Sequence, residues 1–134
     1  MSFDISEYEL VETSALTIQN PRGDGDLLVN GKPVVFTLYS PGTAQYVQAE
    51  HKANNASTFR MQSMLRGKSV KNQSELSTEE LAAKLAAVTA SIENFPVEGG
   101  ALAIYSNPKL CYIRKQVVQY LDDLGNFTKP SPTN

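Results

Sequence analysis

Chemistry needs reactive side chains in the right company, and this chain offers few. It holds one histidine and one cysteine in 134 residues. A Ser-His-Asp or Cys-His set would have to recruit His51, which stands between Glu50 and Lys52 in a polar stretch. With no second His or any Cys near it in the chain, His51 reads as a solvated helical residue, neither metal ligand nor general base. Cys111 lies near the start of an apolar helical pattern. A helix N-terminus lowers a thiol pKa, but a lone thiol on an amphipathic helix reads as packing. Asp122 and Asp123 are adjacent, so on a helix they point about 100° apart and form no carboxylate dyad.

The remaining motifs fail on inspection. Arg22-Gly23-Asp24 matches an adhesion tripeptide, but nothing upstream reads as a secretion signal. Asp24 and Asp26 could begin a calcium loop, yet the twelfth position is Val35 where a bidentate Glu is required. Gly67-Lys68-Ser69 echoes the end of a phosphate loop whose earlier glycine is replaced by Gln62. Arg60, Arg66, Lys68 and Lys71 form a basic cluster with no acid between Phe59 and Ser74. It reads as a solvated linker, with an acidic partner or nucleic acid as the functional alternative. No catalytic residue, cofactor or metal is assigned, and the chain is read as a non-enzyme.

Composition sets the class. Hydrophobic residues make up 41% and charged residues 19%, an ordinary globular balance rather than a disordered one. At this length one core is expected, burying roughly 70% of the surface an unfolded chain exposes. A net charge of −2 gives no general pull toward phosphate backbones or anionic lipid. The single cysteine fits a reducing compartment, and no apolar run nears the roughly 20 residues that cross a bilayer. A cytoplasmic location is expected, which makes the Asn-x-Ser/Thr triplets at Asn55, Asn72 and Asn126 chance matches.

The elements that would position any site follow from periodicity. Residues 1–12 mix acids and apolar residues, as an edge strand or loose arm would. Ala15–Gln19 reads as a strand, Arg22–Asp26 as a turn, and Leu27–Val29 as a second strand. Asn30-Gly31 is a hairpin signal, because both central residues of a type I′ turn need positive φ. Val34–Tyr39 completes a three-stranded antiparallel meander over 13–40. Ser40-Pro41-Gly42-Thr43 starts a helix that runs to about residue 65 and stops at Gly67. Ser77 and Glu80 match a capping box for a second helix. Its apolar residues Leu81, Leu85, Val88, Ile92 and Phe95 share one face and carry it to Asn94 or Phe95, before Pro96.

Glu98-Gly99-Gly100 reads as a turn and Ala101–Tyr105 as a buried connection or strand. Asn107-Pro108 caps a last helix with Leu110, Ile113, Val117, Leu121 and Leu124 on one face. Gly125 is read as its left-handed C-terminal residue. The expected class is α+β: an N-terminal antiparallel meander followed by three helices, one domain over 1–127, with 128–134 a disordered tail.

One set of residues points beyond a generic domain. It comprises Phe95-Pro96-Val97-Glu98-Gly99-Gly100, Tyr105-Ser106-Asn107-Pro108-Lys109-Leu110, Tyr112-Ile113-Arg114-Lys115-Gln116-Val117 and Asn126-Phe127. Upstream stand Asn30-Gly31-Lys32-Pro33 and Tyr39-Ser40-Pro41-Gly42. Together they resemble the tail assembly chaperones of long-tailed bacteriophages over residues 27–127, departing at Cys111, where the family form carries glycine. The resemblance implies a protein that binds the aggregation-prone tape measure protein, helps recruit tail tube subunits, and is absent from the finished particle. It also leaves a homo-oligomer open. Tyr112, Gln116 and Tyr120, spaced by four along one flank, and Phe127 are the expected partner contacts. Rival readings are a structural tail or tail-completion protein, and a nucleic-acid-binding regulator using the basic linker.

Overall fold

The computed structural model describes residues 3–65 and 73–128. The order is β1 (Thr13–Thr17), β2 (Leu28–Val29), β3 (Lys32–Pro33), β4 (Val35–Tyr39), α1 (Ala44–Leu65), α2 (Gln73–Ala87), β5 (Thr89–Glu93), α3 (Gly100–Ser106) and α4 (Cys111–Asp122). Short 3-10 turns occupy Ile5–Tyr8, Pro108–Leu110 and Leu124–Phe127. The class is α+β. The first turn replaces the edge strand or loose arm expected for residues 1–12.

The main sheet runs β1-β4-β5, antiparallel throughout. This corrects the expected meander. β1 pairs directly with β4, from Thr13 opposite Tyr39 to Thr17 opposite Val35. The chain between them closes its own small ribbon, β2 against β3. Asn30 (φ 54°) and Gly31 (φ 77°) both sit at positive φ at its tip, as a type I′ turn requires.

The third strand of the sheet comes from the stretch expected to extend the second helix. α2 ends at Ala87, and Val88 N–H still donates to the Lys84 carbonyl at 3.1 Å. The Val88 carbonyl then accepts from Tyr39 N–H at 2.8 Å, so the chain passes from helix into sheet within one residue. The Thr89 hydroxyl donates to the Leu85 carbonyl at 2.7 Å, satisfying a terminal helix acceptor. Thr-Ala-Ser-Ile-Glu is a weak helix former, and the free edge of β4 offers it backbone partners that a helix extended into solvent would not gain.

The helix boundaries also differ at their starts and ends. α2 begins at Gln73, so Ser77 and Glu80 lie inside it rather than at its start. Ala101–Tyr105 is helical within α3, because a short apolar run carries no period that separates helix from buried strand. Gly99 leads into it at φ 89°, where an added Cβ would come within 2.9 Å of the Ala103 Cβ. Gly125 is not among the left-handed residues. α4 ends at Asp122, and the Asp123 carboxylate caps the following turn by accepting from Gly125 N–H.

One expected start is borne out and a second in part. Thr43 Oγ1 accepts from Tyr46 N–H at the head of α1, while the buried Ser40 holds the preceding turn through Gly42 N–H and the Glu12 carbonyl. Asn107 Oδ1 accepts from Lys109 N–H with Pro108 in the first turn, but the cap opens the 3-10 turn Pro108–Leu110; α4 follows at Cys111, with Leu110 before it and no side-chain cap of its own.

The core lies between the helices and one face of the sheet. Val34, Phe36, Leu38 and Ile18 are fully buried from the sheet side; Ala82, Leu85, Val88, Ile104, Tyr105, Ile113, Val117, Leu121 and Phe127 meet them. Phe36 and Tyr105 pack edge-to-face at 6.1 Å. The opposite sheet face, with Thr13, Ala15, Ser91 and Glu93, is exposed, as an antiparallel sheet permits.

Candidate functional site

The expected partner flank on α4 turns out to fasten the helix to the sheet. Ser40 N–H donates to the Glu12 carbonyl and Ile18 N–H to the Val34 carbonyl. With the β1–β4 register, these bonds direct the backbone groups of even-numbered β1 residues toward β4. The odd-numbered residues therefore turn their backbone groups outward, onto an edge that would otherwise be free.

Two α4 side chains satisfy that edge. Gln116 Oε1 accepts from Gln19 N–H at 2.7 Å, and Gln116 Nε2 donates to the Gln19 carbonyl at 3.0 Å. One amide thus imitates a neighbouring strand. One helical turn on, the Tyr120 hydroxyl donates to the Ala15 carbonyl at 3.2 Å and bonds the Ser14 hydroxyl. The Tyr120 ring meets Phe127 edge-to-face at 5.6 Å.

Phe127 is fully buried, which corrects its expected role as a surface contact. Its carbonyl accepts from Val11 N–H at 2.7 Å, and Asn126 Nδ2 donates to the Tyr120 carbonyl. Tyr112 is half-buried, and burial raises its hydroxyl pKa. The four residues are therefore brought together in part: Gln116, Tyr120 and Phe127 form one latch between α4, β1 and the turn Leu124–Phe127, and Tyr112 makes no hydrogen bond in it.

The candidate chemical groups stay apart. His51 is exposed in the middle of α1, and Cys111 is half-buried at the first residue of α4. Among the described residues no group of three His, Cys, Asp or Glu side chains could hold a metal. Asp122 lies near enough to Tyr46 to help burial and Glu50 raise that phenol's pKa. Tyr105 is the most perturbed titrating group: burial pushes it up to about 12, opposed by the Thr89 hydroxyl 2.8 Å away. It is a fully buried core phenol. Of the basic cluster, Arg66, Lys68 and Lys71 fall outside the described residues, as do Gly67 and the tail from 129 onward.

A more open feature lies between α1 and α2. Ala49 and Ala53 face Ala83 and Ala87 across a groove of about 210 Å³, rimmed by Lys52, Lys84 and Glu80. Lys84 Nζ lies 3.9 Å from a Glu50 carboxylate oxygen and 5.3 Å from the Tyr46 ring centroid. The alanine spacing was visible in the sequence as helix-compatible repetition. What it did not reveal is that the two alanine rows leave a groove where larger residues would have met.

Among the described residues no helix is long and apolar enough to cross a membrane. In comparisons with family models, with curated proteins and with solved structures, nothing matches this chain.

Proposed function

We propose that the protein is a non-catalytic tail assembly chaperone of a long-tailed bacteriophage, acting in the bacterial cytoplasm. It holds the tape measure protein in soluble form while tail tube subunits are recruited, and it leaves before the particle is complete. The observation that carries this reading is the convergence of the motif residues. Asn107 and Pro108 open the 3-10 turn that leads into the last helix, Ile113 and Val117 anchor that helix in the core, and Gln116 clamps it to the β1 edge. Asn126 and Phe127 then lock its end. Residues scattered over twenty positions thus form one mechanical unit, which supports reading them as the signature of a fold rather than as coincident short matches.

The proposal also relocates the client. The latch side chains are engaged within the molecule, so the tape measure protein must meet another surface. A holding chaperone works by covering apolar area, at roughly 25 cal/mol per Å² removed from water, and needs no chemical step. Co-expression with a phage tape measure protein tests the reading. Increased soluble yield and co-purification are expected; unchanged solubility with no complex would count decisively against it. Mass spectrometry of purified particles separates it from the structural-component reading, because a chaperone is missing from them.

A further inference from the structure

Two surface features have no role in the latch, and they complement one another. Phe3, Ile5 and Tyr8 are 77, 66 and 73% exposed. The turn bearing them is nevertheless built: Asp4 accepts from Ser6 N–H at 3.0 Å, and the Phe3 and Tyr8 rings stack at 5.5 Å with 15° between their planes. Just behind them Val11 N–H ties the segment to the Phe127 carbonyl. A stacked aromatic pair held in water is an apolar wedge with nothing to fill. The α1–α2 groove has the opposite character, since four alanines line it and, among the described residues, no aromatic ring does.

We propose that the N-terminal arm of one copy docks its Phe3–Tyr8 wedge into the α1–α2 groove of a second copy, reciprocally, giving a two-fold dimer. Charge favours the match at Lys52. From Phe3 to Glu12 the arm carries Asp4, Glu7, Glu9 and Glu12 and no cation, while Lys52 stands on the groove rim beside Glu80 and Lys84, the last already meeting Glu50. Lys52 forms no ion pair with another described side chain.

Area favours reciprocity. Two aromatics and an isoleucine bury on the order of 400 Å², short of the roughly 800 Å² per partner of a stable interface. When each copy gives one arm and receives one, the per-partner area reaches that range. The isologous arrangement also closes, so it forms no open filament. The inference goes beyond the chaperone reading and needs no phage client; the two can fail separately.

Sedimentation velocity of the full 134-residue chain over a concentration series tests it. A concentration-dependent dimer is expected, weakened about tenfold or more by Phe3→Ala with Tyr8→Ala, or by filling the groove with Ala83→Trp. Lys52→Glu is expected to weaken it as well, and adding Glu7→Lys to restore it. Because Phe3 and Tyr8 are exposed in the single copy, the double variant keeps the wild-type thermal melt at concentrations low enough for both to be monomeric, which separates lost docking from lost folding. A monomer at every concentration overturns the proposal, as does a dimer indifferent to the double substitution. So does burial of the wedge that is independent of concentration, which would place the arm in its own groove.

Discussion

At the scale of single residues, Gln116 and Tyr120 matter because each satisfies backbone groups that a helix side chain rarely reaches. Removing the amide in Gln116→Ala leaves Gln19 N–H and C=O without their protein partner. A loss of about 1–2 kcal/mol is expected in urea unfolding. Gln116→Glu is more informative: the carboxylate keeps an acceptor for Gln19 N–H but sets a second acceptor against the Gln19 carbonyl. Its destabilisation should shrink as pH falls from 7 to 4 and the carboxyl regains a proton. Tyr120→Phe keeps the ring on Phe127 and loses the hydroxyl bonds, costing about 1 kcal/mol. Phe127→Ala empties a fully buried site and should cost about 3–5 kcal/mol. Tyr105 supplies a pH prediction. Its pKa is raised by burial to about 12 from 10.0, so the unfolded chain loses that proton first as pH rises. Stability from this group is complete below pH 10 and disappears toward pH 12, by roughly 3 kcal/mol. Tyr105→Phe should flatten the stability curve across that alkaline window.

At the scale of elements, two local conformations depend on surroundings more than on composition. Gly99 carries positive φ, and an added Cβ would crowd Ala103. Gly99→Ala combines backbone strain with a clash against the first turn of α3, so a loss of about 2 kcal/mol is expected in urea unfolding. The segment from Leu81 to Phe95 makes the larger point. Its apolar spacing fits a single helix, yet Ile92 lies opposite Phe36 in the sheet and Val88 sits in the core. A peptide spanning residues 79–95, freed of β4, should become helical through Ile92 in trifluoroethanol by circular dichroism and NMR. A peptide that stays non-helical beyond Val88 even there would show that local sequence, not sheet pairing, ends α2.

For the whole molecule, burial is uneven, and stability should follow it. Among the side chains described, the core residues of α1 are Tyr46 and Ala49, in its first two turns, and those of α2 are Ala82 and Leu85. Farther along α1, Asn54, Asn55, Thr58, Met61 and Gln62 are exposed. Hydrogen exchange should therefore find the amides from Asn54 to Met61 opening well before those of β4, which is bonded on both sides. Equal protection in the two regions would contradict this gradient. The proximal α1–α2 groove stays open, and the exposed Phe3–Tyr8 turn is an apolar element suited to it.

The amino-acid order by itself determined whatever rests on neighbouring residues. The positive-φ turn at Asn30-Gly31, the first-turn proline with its Asn107 cap, and the buried stripe Ile113, Val117 and Leu121 were all readable, because each depends on interactions within a few positions. Only the tertiary structure decided that β1 pairs with β4 across the β2–β3 ribbon, that Thr89–Glu93 is a strand, and that Gln116 and Tyr120 face the sheet edge. Those outcomes depend on backbone donors and acceptors brought together with side chains as far as 105 residues away in sequence. Hydrophobic spacing reports which side of an element avoids water; it carries no record of which distant backbone group will meet it there.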